Sequence, residues 1–146
     1  MSKLTMAILS LVVSTFVFAA DKPKEEWLLV HTAQEAQATS STLVMPISRE
    51  IFSFTDRPYR KHSYLTGDKF ASLWSDSRSD SFELDPPNAV LTWIEEGGIK
   101  EVEVVITNAT SDIKIITYTL KNNHTLNAEL KDVSIFVDGY AHCPCD

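Results

Sequence analysis

Four things are scarce in this 146-residue chain, and each scarcity excludes something. Cysteine occurs only as Cys143 and Cys145, at the extreme C-terminus, so no disulfide frames the interior. A bridge between residues two apart is geometrically awkward given the usual Cα separation and torsion. Basic charge is short, with 13 Lys and Arg against 20 Asp and Glu and a formal net charge of −7. That balance argues against nucleic acid and anionic membrane as partners, since both select for basic patches. Long apolar runs are missing as well. The one extended run, residues 6–20, falls short of the roughly 20 residues a membrane-spanning helix needs. Finally, no signature of a standard chemistry is present: no Gly-x-Ser-x-Gly, no His-Glu-x-x-His, no phosphate loop and no dinucleotide fingerprint.

What is present begins with a targeting pattern. Lys3 precedes the apolar run, and Val17 and Ala19 form a small-residue cleavage site. Residues 1–19 are expected to be a signal peptide and 20–26 a mobile, charged leader. Residues 27–139 then form one domain, followed by a tail over 140–146. The alternative is an N-terminal anchor that is never cut. The expected location is secreted or periplasmic, with no stable membrane span after cleavage. The remaining length can bury a core without staples.

The domain reads as mainly β, a single antiparallel β-sandwich of about seven strands with one short helix. Strand patterns start at Trp27, Thr42 and Ile47. In the third, Phe52 and Phe54 share one face and Ser53 and Thr55 the other. Both faces of 89–95 are apolar, which suits a central strand. Gly97-Gly98 signals a hairpin. Turns are expected at 108–112 and 121–124, and a last strand through Val133, Ile135 and Val137 ends at Asp138-Gly139. Phe70, Leu73 and Trp74 recur at helical spacing, so 68–75 is an amphipathic helix with Thr66 as its N-cap.

The chemically mixed stretch is 52–91. Asp56-Arg57-Pro58 ends a strand, and Asp85-Pro86-Pro87-Asn88 makes a rigid turn with an X-Pro bond open to the cis form. The segments Phe54 to Arg60, Phe70 to Trp74 and Ser81 to Leu91 carry three motifs in order. They are aromatic-x-Asp-Arg-Pro-x-Arg, Phe-x-x-x-Trp and Ser-Phe-x-x-Asp-Pro-Pro-Asn-Ala-x-Leu. Together they resemble an uncharacterised family of small exported proteins, over about residues 27–139. The resemblance implies secretion and a β-rich domain, and it carries no activity. Where members tend to have Gly three residues after the second Arg, this chain has Ser63, which leaves the course beyond Arg60 open.

Asp56, Arg57, Arg60, His62, Asp85 and Asn88 are the candidate site. Two carboxylates, an imidazole and two guanidiniums suit general acid–base work, or the binding of an anionic or carbohydrate ligand. The competing reading makes them a rigid corner, with Asp56 capping its own turn and an Arg paired to Asp85. His31 and His124 stand alone. His142, Cys143 and Cys145 are candidate metal ligands, although a compact Cys-x-Cys rarely closes a tetrahedral site by itself. An intermolecular disulfide is the alternative for these thiols. Trp27, Trp74 and Trp93 would suit a sugar platform, but core packing explains them more cheaply. Asn108-Ala-Thr and Asn123-His-Thr are glycosylation sequons.

The expectation is an exported, non-catalytic binding or structural module without a cofactor. Its ligand would be a small molecule, a glycan or a protein. The alternatives are a small hydrolase using Asp56 or Asp85 with His62, and a metal-binding or thiol-linked protein acting through the tail.

Overall fold

The computed structural model describes residues 24–75, 81–140 and 143–144. The signal-peptide expectation, His142 and Cys145 therefore lie outside the described residues. Among these residues no helix is long and apolar enough to cross a membrane.

Eight strands follow one another: β1 (Trp27–Ala38), β2 (Thr42–Pro46), β3 (Ile51–Thr55), β4 (His62–Leu65), β5 (Asn88–Glu95), β6 (Gly98–Asp112), β7 (Ile115–Leu120) and β8 (Glu129–Tyr140). Helix α1 (Gly67–Ala71) and a 3-10 turn (Ser72–Trp74) lie between β4 and β5. The fold is mainly β and antiparallel throughout. Its single sheet runs β2-β7-β6-β5-β8-β1-β3-β4, and β2 also pairs with β1. The sheet thus folds over on itself, and its two halves face each other across one core. One edge of β1 is shared end to end: Gln37 and Ala38 pair with β2, and Trp27 to Val30 pair with β3.

Alternation explains the core. Leu29 and His31 on β1, Leu91 on β5, Ile116 and Tyr118 on β7, and Ile135 and Val137 on β8 all point inward and are buried. Three irregularities keep long strands facing correctly where a strict period of two would fail. The break between Ile106 and Asn108 lets Val104, Ile106 and Ala109 all be buried. Asp132 (φ 48°) separates buried Leu130 from buried Val133, and Gly139 (φ 93°) lets both Val137 and Tyr140 turn inward.

Helix α1 and its 3-10 extension plug the core. Thr66 caps it by accepting from the Lys69 amide. Phe70, Leu73 and Trp74 are buried, as their spacing predicts. Trp74 donates to the Ile106 carbonyl at 2.9 Å. Its ring packs against Phe70 at 5.3 Å and Phe82 at 4.8 Å between centroids, and Phe82 meets Tyr140 at 5.1 Å.

Several local expectations are corrected. The strand expected from Ile47 starts at Ile51, and β4 follows where the sequence pattern was silent. Residues 108–112 continue β6, because the bulge absorbs their polar character, and the turn falls at 113–114. The β5–β6 turn is Glu96-Gly97, both at positive φ, flanked by the Glu95–Gly98 pair. The cis peptide precedes Pro58, not Pro86 or Pro87. Ahead of β1, Glu25 pairs with Lys61 at 3.0 Å and accepts from the Trp27 indole. All three tryptophans are buried, so none offers a platform.

Candidate functional site

The β3–β4 hairpin carries four of the six candidate residues. Its turn forms because Asp56 closes it twice. The side chain accepts from the Arg57 amide at 2.6 Å, and the carbonyl accepts from the Tyr59 and Arg60 amides. Arg60 adopts φ 51° to complete the reversal. Thr55 ties the exit, accepting from the Lys61 amide at 2.8 Å. Asp56, Arg57, Arg60 and His62 are all exposed. Asp85, whose amide bonds the Ser81 carbonyl, and Asn88 at the start of β5 are exposed too. Among the described residues no side-chain to side-chain hydrogen bond or ion pair joins any two of the six. The expected Arg–Asp85 staple is not formed: the hairpin is held by backbone pairing, and Asp85 belongs to a different turn. Asp56 does cap its own turn, as the corner reading requires.

The hairpin's more unusual property is its orientation. Ile51 is buried, and strand alternation therefore carries Ser53 and Thr55 inward and Phe52 and Phe54 outward. The two hydroxyls are satisfied inside: Ser53 donates to the Ser63 carbonyl at 3.1 Å, and Thr55 serves the Lys61 amide. The aromatic rings are left on the surface. Phe52 stacks on Phe54 at 5.5 Å and 22°, and meets Tyr64 at 5.4 Å and His62 at 6.3 Å.

Register extends this surface across the sheet. Tyr64 lies opposite Phe52, Phe52 opposite Val30, Val30 opposite Phe136, and Phe136 opposite Val90. A second row runs His62, Phe54, Leu28. With strands about 4.8 Å apart, the five strands β4-β3-β1-β8-β5 present an apolar band about 20 Å wide. Tyr64 is 59 % and Phe136 40 % exposed. A buried hydroxyl row under an outward aromatic row, with Phe52 and Phe54 half-buried and Tyr64 exposed, reverses the usual pattern, and such reversals are informative where a lone exposed apolar residue is not.

Hollows border the band on both sides. One of about 260 Å³ is walled by Val30, Thr32, Arg49, Glu50, Phe52 and Tyr64. Two neighbours of about 300 and 330 Å³ also share Arg49. Beyond Phe136 a cleft of about 510 Å³ includes Asn88, Glu103, His124 and Asp138. Arg49, Arg57 and Arg60, three of the chain's four arginines, sit at the β3–β4 end beside Glu50 and Asp56, and Glu103 and Asp138 rim the β5–β6 end. No carboxylate pairs with any of these three arginines among the described residues. Arg49 reaches only the Thr32 hydroxyl, at 3.5 Å.

Two remaining candidates are internal or terminal. His31 is buried between the Tyr118 hydroxyl (2.8 Å at Nδ1) and the Pro46 carbonyl (2.9 Å at Nε2). The carbonyl can only accept, so Nε2 carries the proton and Tyr118 donates to Nδ1. Burial holds the His31 pKa below its ordinary value and pushes the Tyr118 hydroxyl well above its own. This pair ties β1 to β2 and β7 and is closed to solvent. Cys143 is disulfide-bonded and packs against the core, so its sulfur is no thiolate ligand in this state. Among the described residues no group of three His, Cys, Asp or Glu is placed to hold a metal.

Sequence reasoning named His62 and Asn88 but missed Arg49, Phe52, Tyr64 and Phe136. One signal could have found the hairpin's share of them. Ile51, Ser53 and Thr55 occupy one parity, so burying Ile51 turns both phenylalanines to the outward, half-buried face. Comparison of the chain with protein-family profiles, curated proteins and solved structures finds no match in any of the three.

Proposed function

We propose that the protein is an exported, non-catalytic binding module whose ligand surface is the outward face of β4-β3-β1-β8-β5. One observation carries this reading: the aromatic row Phe52, Phe54 and Tyr64 stands outward while Ser53 and Thr55 of the same strand are buried. Leaving Tyr64 and Phe136 exposed and Phe52 and Phe54 only half-buried forgoes burial worth about 25 cal/mol per Å² of apolar area. A partner that covers the face recovers that term. The hollows around Arg49 and beyond Phe136 add relief and polar groups beside the apolar band, the mix expected of a ligand site. Export rests on the N-terminal targeting pattern. The lack of any side-chain hydrogen bond or ion pair among Asp56, His62 and Asp85 favours binding over the hydrolase alternative, because acid–base catalysis needs groups converging on one reacting atom.

The test is a ligand-observed NMR screen of small aromatic and saccharide fragments against three proteins. Hits on the wild-type chain should be lost in a Tyr64→Ser/Phe136→Ser variant, which melts as wild type does, and kept in Asp56→Ala/Asp85→Ala, which melts lower only because Asp56 closes its turn. Loss in the Asp56/Asp85 variant alone would transfer the site to the turns and refute the proposal.

A further inference from the structure

This inference rests on the reading of the outward face as the binding surface and names what that face takes. We infer that the β3–β4 end of the face is a binding site for a carboxylated oligosaccharide, a chain of sugar rings bearing uronic-acid groups. Ring stacking would fall on Phe52, Phe54 and Tyr64, and carboxylate recognition on Arg49 and the hairpin-tip arginines.

Three observations converge. The first is the surface itself. Phe52 and Phe54 lie nearly parallel at 22°, with Tyr64 tilted 47° against Phe52. A pyranose ring has a flat C–H face and a polar rim, so it can cover such rings while its hydroxyls stay hydrated or find the protein's polar groups. The second is the hollow of about 260 Å³. It sets Phe52 and Tyr64 beside the Thr32 hydroxyl, the Arg49 guanidinium and the Glu50 carboxylate, an apolar wall with a few convergent polar groups.

The third is charge. In a chain of net −7, with acids in excess, Arg49, Arg57 and Arg60 have no intramolecular carboxylate partner among the described residues. By contrast, Lys61 and Lys131 on the same molecule do pair, with Glu25, Glu35 and Glu129. A guanidinium fork matches a carboxylate with two parallel hydrogen bonds, so an unengaged arginine beside a stacking surface favours an acidic sugar over a neutral one. Arg49 precedes β3 and Arg57 follows it, so the two cationic positions flank the rings along the strand direction, at most about 26 Å apart between backbones. That spacing suits an elongated ligand with repeated carboxylates better than a single small anion. Phosphodiester chains share the stacking and the charge, and a thymidine hexanucleotide is the probe that separates them from the acidic sugar.

The experiment is isothermal titration of the full chain with three probes: hexagalacturonate, neutral cellohexaose and a thymidine hexanucleotide. Hexagalacturonate should bind at least ten-fold tighter than either of the others. Arg49→Ala should remove about ten-fold of that affinity and leave cellohexaose unchanged. Tyr64→Ala should weaken both sugars. Both positions are exposed, so thermal melts should match wild type. Equal binding of the acidic and neutral sugars would overturn the role of the arginines, and tighter binding of the oligonucleotide would overturn the sugar. If no saccharide binds while small aromatic fragments still occupy the face, the carbohydrate inference falls and the binding-surface reading stands. If neither binds, both fall.

Discussion

Acidification should destabilise this protein through His31. The imidazole is 1 % exposed, and burial keeps its folded-state pKa below the ordinary 6.5. Above that value neither folded nor unfolded chain holds the extra proton, and the stability tied to this group is complete. As pH falls below it, the unfolded chain takes up a proton that the folded chain refuses, so stability drops. The drop stops growing only below the folded-state value, where both bind it. The limiting slope is about 1.4 kcal/mol per pH unit, so at pH 5.5 the loss is at most about 1.4 kcal/mol. For a domain of this size that caps the fall in Tm at about 5 °C. Urea unfolding of wild type and His31→Gln at several pH values between 5 and 7.5 measures it. Glutamine can still donate to the Pro46 carbonyl and accept from Tyr118, but it does not titrate. The variant's profile should therefore be flatter over the same interval, whatever its stability at neutral pH. Parallel profiles would refute the argument, because they would mean that His31 protonates equally in both states.

Three further outcomes follow from the packing. Trp74→Ala should cost about 3–5 kcal/mol, because it opens a cavity against Phe70 and Phe82 and leaves the Ile106 carbonyl without its donor, and chemical unfolding would read the loss. Asp56→Ala should cost about 0.5–2 kcal/mol, as a lost turn-closing acceptor does, while Arg57→Ala at the same exposed turn should stay within about 0.5 kcal/mol in thermal melts. Ser53→Ala should destabilise by about 0.5–1.5 kcal/mol, since it removes the buried hydroxyl's hydrogen bond to the Ser63 carbonyl, again read by urea titration.

The periodicities were readable where one face of an element is apolar and nothing interrupts the count. Ile116, Tyr118 and Leu120 on β7, and Phe70, Leu73 and Trp74 on the helix, went inward as their spacing required. Legibility failed at irregularities. The bulge after Ile106 lets a polar run continue as strand, and four residues of mixed character, His62 to Leu65, form β4 only because β3 lies ready to pair with them. It also failed at the candidate site, for a different reason. Alternation in β3 was plain, but which parity faces the core depends on partners far along the chain, above all β1 and β4. Hydrophobicity alone would bury Phe52 and Phe54, yet Ile51, Ser53 and Thr55 take the interior. The arginines posed the same difficulty: their spacing was visible, but the absence of carboxylate partners emerges only when the turns at Asp56 and Asp85 are placed apart.

The most direct test of the central claim is a residue-resolved map of amide chemical shifts on the ¹⁵N-labelled wild-type chain, titrated with the best saccharide or fragment ligand found. The account predicts that the perturbed amides cluster on Val30, Phe52, Phe54, Tyr64 and Phe136, with Arg49 among them. A cluster on Asp85 and its turn, or on no contiguous part of the β4-β3-β1-β8-β5 face, would contradict it.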